Sequence, residues 1–240
     1  MGRGTLLTVA VLLGVALRTV AAEPAALVFS EFYPISRTEN GHPAGPGIEV
    51  AKRVVGTLPI APVTTMTPLR RLLAMSDSHP IVIAALVRIP KRDAHFQWIG
   101  ELYRDSLVMV TRKERGRIDD LEAARGLGRI GVNLGGVSQA LLEERRFTNV
   151  ETAQDMTSEA RKLASGRIDA WCGLRQSARE SWKAIGGNPD DIVMGAEIIP
   201  VSIWMAASPS VPVDMVEEMR RRFAQLQRDG ELDRILAGLR

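Results

Sequence analysis

The sequence predicts an α/β protein built from two successive strand–helix–strand–helix–strand sets. Between Ala25 and Leu86, three short apolar runs alternate with two stretches of helical spacing, the pattern of sheet-and-helix layers. A second alternation of the same kind begins near residue 113. The run Ile81–Leu86 is β-branched and apolar on both faces, as in a parallel strand covered from both sides.

Each element has its own local warrant. Ala25–Ser30 reads as a buried strand, closed by the turn Glu31-Phe32-Tyr33-Pro34. Asn40-Gly41 and the Pro/Gly cluster up to Gly47 read as a loop. Ile48–Val55 has helical spacing and Gly56 is its stop. Leu58–Thr64 is the second strand, and Thr67-Pro68 opens a helix to about Met75, with Thr67 as the cap and proline first. Ile81–Leu86 is the third strand; the chain breaks at Pro90 and makes an aromatic turn over Phe96–Trp98. Ser106–Thr111 is extended, and Asp119 or Asp120 caps a short helix ending before Gly126. Arg129–Asn133 is a strand, Gly135–Ser138 turns into a helix through Glu144, and Val150–Ala153 is a short strand. Thr157 or Ser158 caps a helix that stops at Gly166, followed by strands over Ile168–Cys172 and Ile192–Ile198. Val201–Ala207 is extended, and two helices close the chain, Val213–Arg228 and Glu231–Leu239, split by Gly230. Met215, Met219, Phe223 and Leu226 share one face of the first of these.

Residues 1–22 stand apart from this pattern. A basic start at Arg3, an apolar run over Leu6–Leu17 and small residues before Glu23 spell a secretory signal peptide. An uncleaved anchor is the other reading, since Arg18 falls late in the segment, but the run is short for a bilayer span. No lipobox cysteine is present. Removing the leader lowers the formal charge from +3 to about +1, with 29 basic against 28 acidic residues. No Lys/Arg run with interleaved aromatics occurs, so nucleic acid is not an expected partner. Cys172 is the sole cysteine, which excludes an internal disulfide; its apolar neighbours make it a buried small hydrophobe rather than a nucleophile.

The stretch Ile83–Gly100 carries the chemistry. It sets Arg88 and Arg92 just beyond the end of a strand, where open α/β sheets hold their ligands. A guanidinium fork there suits a carboxylate or phosphate. The other reading of Arg92 is a surface cation paired with Asp93. Gly135–Ser138 precedes a helix, so its amides and the helix dipole form a second anion-binding element. The segment has neither the lysine of a P-loop nor the spacing of a dinucleotide motif. His42, His79 and His95 lie in separate loops with no metal-binding spacing, and no G-x-S-x-G elbow occurs. No cofactor is expected, and Asp169 reads as a cap or salt-bridge partner rather than a catalytic acid.

Taken in order, Arg88-Ile-Pro-Lys-Arg92, Phe96–Gly100, Leu121–Val132 leading into Gly135-Gly136-Val137-Ser138, Ser165–Ala170 and the tail Leu226–Leu236 resemble the bacterial extracellular solute-binding proteins of family 3. The resemblance covers residues 25–240. It implies the two-lobed periplasmic binding protein fold, type II, with each lobe a mostly parallel sheet flanked by helices. Residues 23–105 would begin lobe one and 106–202 form lobe two. Residues 203–240 would return to lobe one, and the two hinge strands would lie near Tyr103–Val108 and Pro200–Met205. It implies a soluble periplasmic protein, monomeric and not an enzyme. Such a protein captures a small carboxylate-bearing solute, amino-acid-like or organic acid, and delivers it to the permease subunits of an ABC transporter. A ligand-sensing module for a membrane receptor and a cyclic-acid dehydratase on the same fold are the alternatives.

By the same resemblance, Arg92 holds the ligand carboxylate and Phe32 is the aromatic wall. Glu31 is either a partner for a ligand ammonium or a solvated turn residue. The Gly136, Val137 and Ser138 segment meets the carboxylate from lobe two, although Gly136 and Val137 stand where the family often has hydroxyl side chains. Leu174 falls at the family's ammonium-binding acid, and Ala84 and Ala85 at its pocket serines. Trp171, Leu174 and Ala85 would make a more apolar pocket, with Arg88 and Arg175 adding positive charge. The expected ligand is therefore an anion without a free α-ammonium, because a buried ammonium needs an acceptor or counter-charge.

Overall fold

The computed structural model describes residues 24–239, so the expected leader lies outside the described residues. The first set runs β1 (Ala25–Phe29), the hairpin strands β2 (Arg37–Glu39) and β3 (His42–Ala44), α1 (Pro46–Val55), β4 (Ile60–Met66), α2 (Leu69–Ser76) and β5 (Ile81–Arg88). After the short helix α3 (Pro90–Asp93) comes β6 (Gln97–Arg112). The second set comprises α4 (Leu121–Ala124), β7 (Ile130–Asn133), α5 (Val137–Glu144), β8 (Val150–Ala153), α6 (Met156–Ala164), β9 (Ala170–Leu174), α7 (Arg175–Ala184) and β10 (Ile192–Met194). The chain returns through β11 (Ile199–Ala207) and ends in α8 (Val213–Arg228) and α9 (Glu231–Ile235).

Among the described residues nine strands share one sheet, in the order β4-β1-β5-β11-β6-β9-β7-β8, with β10 pairing to β6. β1 runs parallel to β4 and β5, and β7 runs parallel to β8 and β9. These are the two predicted strand–helix sets. β6 and β11 join them: Tyr103 faces Ile203 across the β6–β11 ladder, whereas Leu107 to Val110 pair with Leu174 to Trp171 of β9. Both expected hinge segments thus lie within β6 and β11. The apolar residues fill both faces, and β5 is buried from Ile81 to Val87. Full burial of a side chain such as Leu27 or Phe29 contributes ~1.5–3 kcal/mol.

Several local readings need correction. Asn40-Gly41, read as loop, is the two-residue turn of a hairpin, with φ of 50° and 79°, the conformation Asn-Gly supplies most readily. Thr67 is not the α2 cap: Pro68 occupies that position and the Thr67 amide donates to the Phe29 carbonyl. Phe96–Trp98 is not a turn, because β6 begins at Gln97 and the aromatic side chains pack into a buried cluster. Asp155, not Thr157 or Ser158, caps α6 by accepting from the Ser158 amide at 2.7 Å. The predicted strand Ile192–Ile198 shortens to Ile192–Met194.

Helix α7 has no counterpart in the sequence reading. Its buried hydrophobics Ala178 and Trp182 form only a thin stripe among polar residues. Its first amides are satisfied from a distance, with Gln176 donating to Asp105 of β6 at 3.1 Å.

Candidate functional site

The carboxyl ends of β1, β5, β7 and β9 converge on one cavity between the two sets, the position at which parallel sheets bind ligands. Ser30, Glu31 and Phe32 continue β1 into it. Ala85, Leu86 and Val87 line it from β5, and Arg92 reaches it from α3. From the other side come Asn133 at the end of β7, Gly136, Val137 and Ser138 at the start of α5, Met156 at the start of α6, and Trp171 to Leu174 of β9. Leu107 of β6 lies where the two sets meet.

α3 exists because Pro90 fixes its first turn, and that turn rotates Arg92 inward. Arg92 is only 8% exposed. Its Nη1 donates to the Val87 carbonyl at 2.8 Å and its Nη2 to the Gly135 carbonyl at 2.9 Å. Both partners are neutral, and among the described residues no carboxylate pairs with it. Burial lowers its pKa to about 10, which still leaves a cation at neutral pH.

Across the cavity, Gly135 adopts φ of 79°, a left-handed turn that glycine makes without steric cost. A side chain at Gly136 would come within 2.9 Å of the Asn133 carbonyl. α5 then starts with no side-chain cap, so its first amides are open to an acceptor from outside the helix. The Gln139 side chain braces the loop by accepting from the Gly135 amide at 2.7 Å.

The walls are apolar. Phe32, Leu107, Val137, Trp171, Cys172 and Leu174 are all buried. The Trp171 indole folds over Gly173, where an added Cβ would lie 2.7 Å from its Nε1. Cys172 is fully buried and burial pushes its thiol up to about 12, in keeping with a small hydrophobe. Glu31 is the only acid among the described residues that line the cavity. It accepts from the Thr157 amide at 3.2 Å. Burial raises its pKa, with the charge of Asp155 adding to the effect.

The cleft is closed. Besides Arg92–Gly135 and Glu31–Thr157, the Ser177 hydroxyl donates to the Tyr33 carbonyl. The space left between these contacts is narrow, with room for a small solute only.

Of the ten residues singled out in the sequence, Phe32, Glu31, Ala85, Arg92, Gly136, Val137, Ser138, Trp171 and Leu174 line this cavity. Arg88 does not. It lies on the outer side, paired with Asp93 at 2.8 Å and stacked over the rings of Trp98 and Trp204. The faces of buried Trp98 and half-buried Trp204 and the neighbouring acid hold it there, away from the cleft. Arg175 is also directed elsewhere, donating to the Gly195 carbonyl at 3.0 Å. Asp169 pairs with Arg115 and accepts from the Arg129 amide. The described residues contain no group of side chains arranged to hold a metal ion. Asn133 and Met156 were given no role from sequence. For Asn133 the signal was a polar side chain closing an otherwise apolar strand.

No protein-family model matches the chain, and no curated protein matches its sequence. Solved structures do. A mutant of the arginine-binding protein from T. maritima is 19% identical, with a TM-score of 0.76 over 89% of this chain and 93% of that one. A histidine kinase sensor domain with similarity to periplasmic binding proteins is 16% identical, with a TM-score of 0.79 over 90% and 96%. An amino acid ABC transporter substrate-binding protein from Streptococcus pneumoniae, bound to L-arginine, is 15% identical, with a TM-score of 0.73 over 90% and 93%. The chain therefore has the two-lobed fold of the periplasmic binding proteins, with its cavity between the lobes.

Proposed function

We propose that the protein is a periplasmic solute-binding protein that traps a small carboxylate-bearing solute between its lobes and presents it to the permease of an ABC transporter. One observation carries the reading: Arg92 is a buried cation on the cavity wall with neutral partners only. A buried charge is costly until an opposite charge joins it, and a carboxylate matches the guanidinium fork. The uncapped start of α5 faces the same space from the other lobe. The arginine-binding neighbours support an amino-acid-like or related acid as ligand, and the signal peptide read from residues 1–22 supports export. The lobes would divide at 105/106 and 202/203, within β6 and at β11, and the protein would act as a monomer. Closure of the hinge would then present both lobe rims to the permease.

The sensor-domain neighbour favours a second reading, in which the closed lobes signal to a membrane receptor. Both readings are of binding without turnover. The test is mass spectrometry of small molecules that co-purify with the exported protein. The proposal expects a small acid, present with the wild type and absent with Arg92→Met. A cationic or uncharged ligand retained by both proteins would overturn it.

A further inference from the structure

We infer that Asn133 selects the ligand's second polar group, and that this group is a neutral donor, so that the preferred solute is an α-hydroxy acid rather than an α-amino acid. The inference rests on the reading of the cavity as a carboxylate site. Asn133 is 9% exposed, lines the cavity and ends β7 two residues before the α5 turn. Its Oδ1 is buried and has no hydrogen-bond partner among the described residues. A buried acceptor left unpaired costs free energy that a ligand donor recovers. The carboxylate socket of Arg92 and the first amides of α5 lies on the same cavity, so one small molecule can meet both.

The charge balance decides which donor fits. A carboxylate neutralises Arg92, and nothing of negative charge lies among the other residues lining this part of the cavity: Trp171, Cys172, Gly173 and Leu174 form the wall. Glu31, the one acid among the described residues on the cavity, is already engaged with the first turn of α6 through the Thr157 amide. An ammonium beside Asn133 would give up its hydration for one neutral oxygen, with the Arg92 cation on the same cavity. A hydroxyl loses far less on burial and satisfies Oδ1 with a single bond. The narrow, apolar space accepts a short aliphatic body.

Calorimetric titration with two matched sets tests this: propanoate, lactate and alanine, then isovalerate, α-hydroxyisovalerate and valine. In each set the hydroxy acid is expected to bind about tenfold more tightly than the unsubstituted acid, as one recovered buried hydrogen bond implies, and more tightly than the amino acid. Asn133→Leu should bring the hydroxy acid down to the level of the unsubstituted acid while the latter still binds. Asn133→Asp should shift the preference to the amino acid. Tighter binding of the amino acid by wild type, or a hydroxy-acid advantage that survives Asn133→Leu, would overturn the inference and leave the carboxylate site standing. If no acid of either set binds, the carboxylate reading fails and the inference with it.

Discussion

Arg92 donates to the carbonyl of Gly135 at 2.9 Å across the closed cleft, while its other terminal nitrogen holds the Val87 carbonyl at 2.8 Å. One side chain thus ties the end of β5 to the turn before α5. Both acceptors are neutral, so the tie joins the lobes without cancelling the charge.

That arrangement separates binding from stability. Arg92→Met loses two hydrogen bonds but also removes a desolvated cation, and these effects oppose each other. The net change in unfolding free energy is expected to be within ~1 kcal/mol by urea titration. Affinity for a carboxylate ligand is expected to fall by about a hundredfold or more in calorimetry. An unchanged affinity would remove Arg92 from the site.

Glu159 predicts a pH dependence. It is fully buried in α6, and among the described residues only a weak contact from the Ala153 amide reaches its carboxylate. Burial raises its pKa from 4.5 to about 8; Lys162 opposes the shift, and Asp155 and Glu151 add to it. The folded state keeps a proton that the unfolded chain releases. The contribution to stability is therefore full below pH 4.5, falls as pH rises towards 8, and levels off beyond. Glu159→Gln removes that slope. Its advantage over wild type should grow by ~3 kcal/mol between pH 5 and pH 8, measured by urea unfolding. Parallel stability curves for the two proteins would show that Glu159 is ionised in the fold.

Gly173→Ala tests the cavity wall. The new methyl would meet the Trp171 indole at 2.7 and 2.8 Å, and the ring has to shift. Overpacking of this kind costs ~1–3 kcal/mol. Ligand affinity should weaken with it, since Trp171 and Gly173 both line the cavity. Urea unfolding and calorimetry read the two effects separately.

Arg88 offers the contrasting case. It sits 5.2 Å from the Trp98 ring centroid and 4.9 Å from that of Trp204, outside the cavity. Arg88→Ala should destabilise the protein by ~1 kcal/mol through lost stacking and ion pairing and leave affinity close to wild type. A large loss of affinity at unchanged stability would return Arg88 to the ligand.

The parallel strands and their helices were legible because period and burial agree: β5 is apolar on both faces in sequence and buried on both in the fold. Glu31, Phe32, Arg92 and Gly136 to Ser138 were legible because they follow a strand or open a helix, whereas Ala85, Trp171 and Leu174, within β5 and β9, were named only through the family resemblance. What local sequence could not show depends on distant partners. Helix α7 is capped by Asp105, 71 residues away, and Arg88 is held outside by Trp204 from the returning strand β11. The unpaired oxygen of Asn133 is a property of the assembled cavity, visible only once α5, α6 and β9 surround it.

A crystal structure of the protein with a bound acid, such as lactate, tests the central claim most directly. The carboxylate is expected within hydrogen-bond distance of the Arg92 guanidinium and of the first amides of α5 at Val137 and Ser138. An acid bound away from these groups, with Arg92 still directed only at the Val87 and Gly135 carbonyls, would contradict the account.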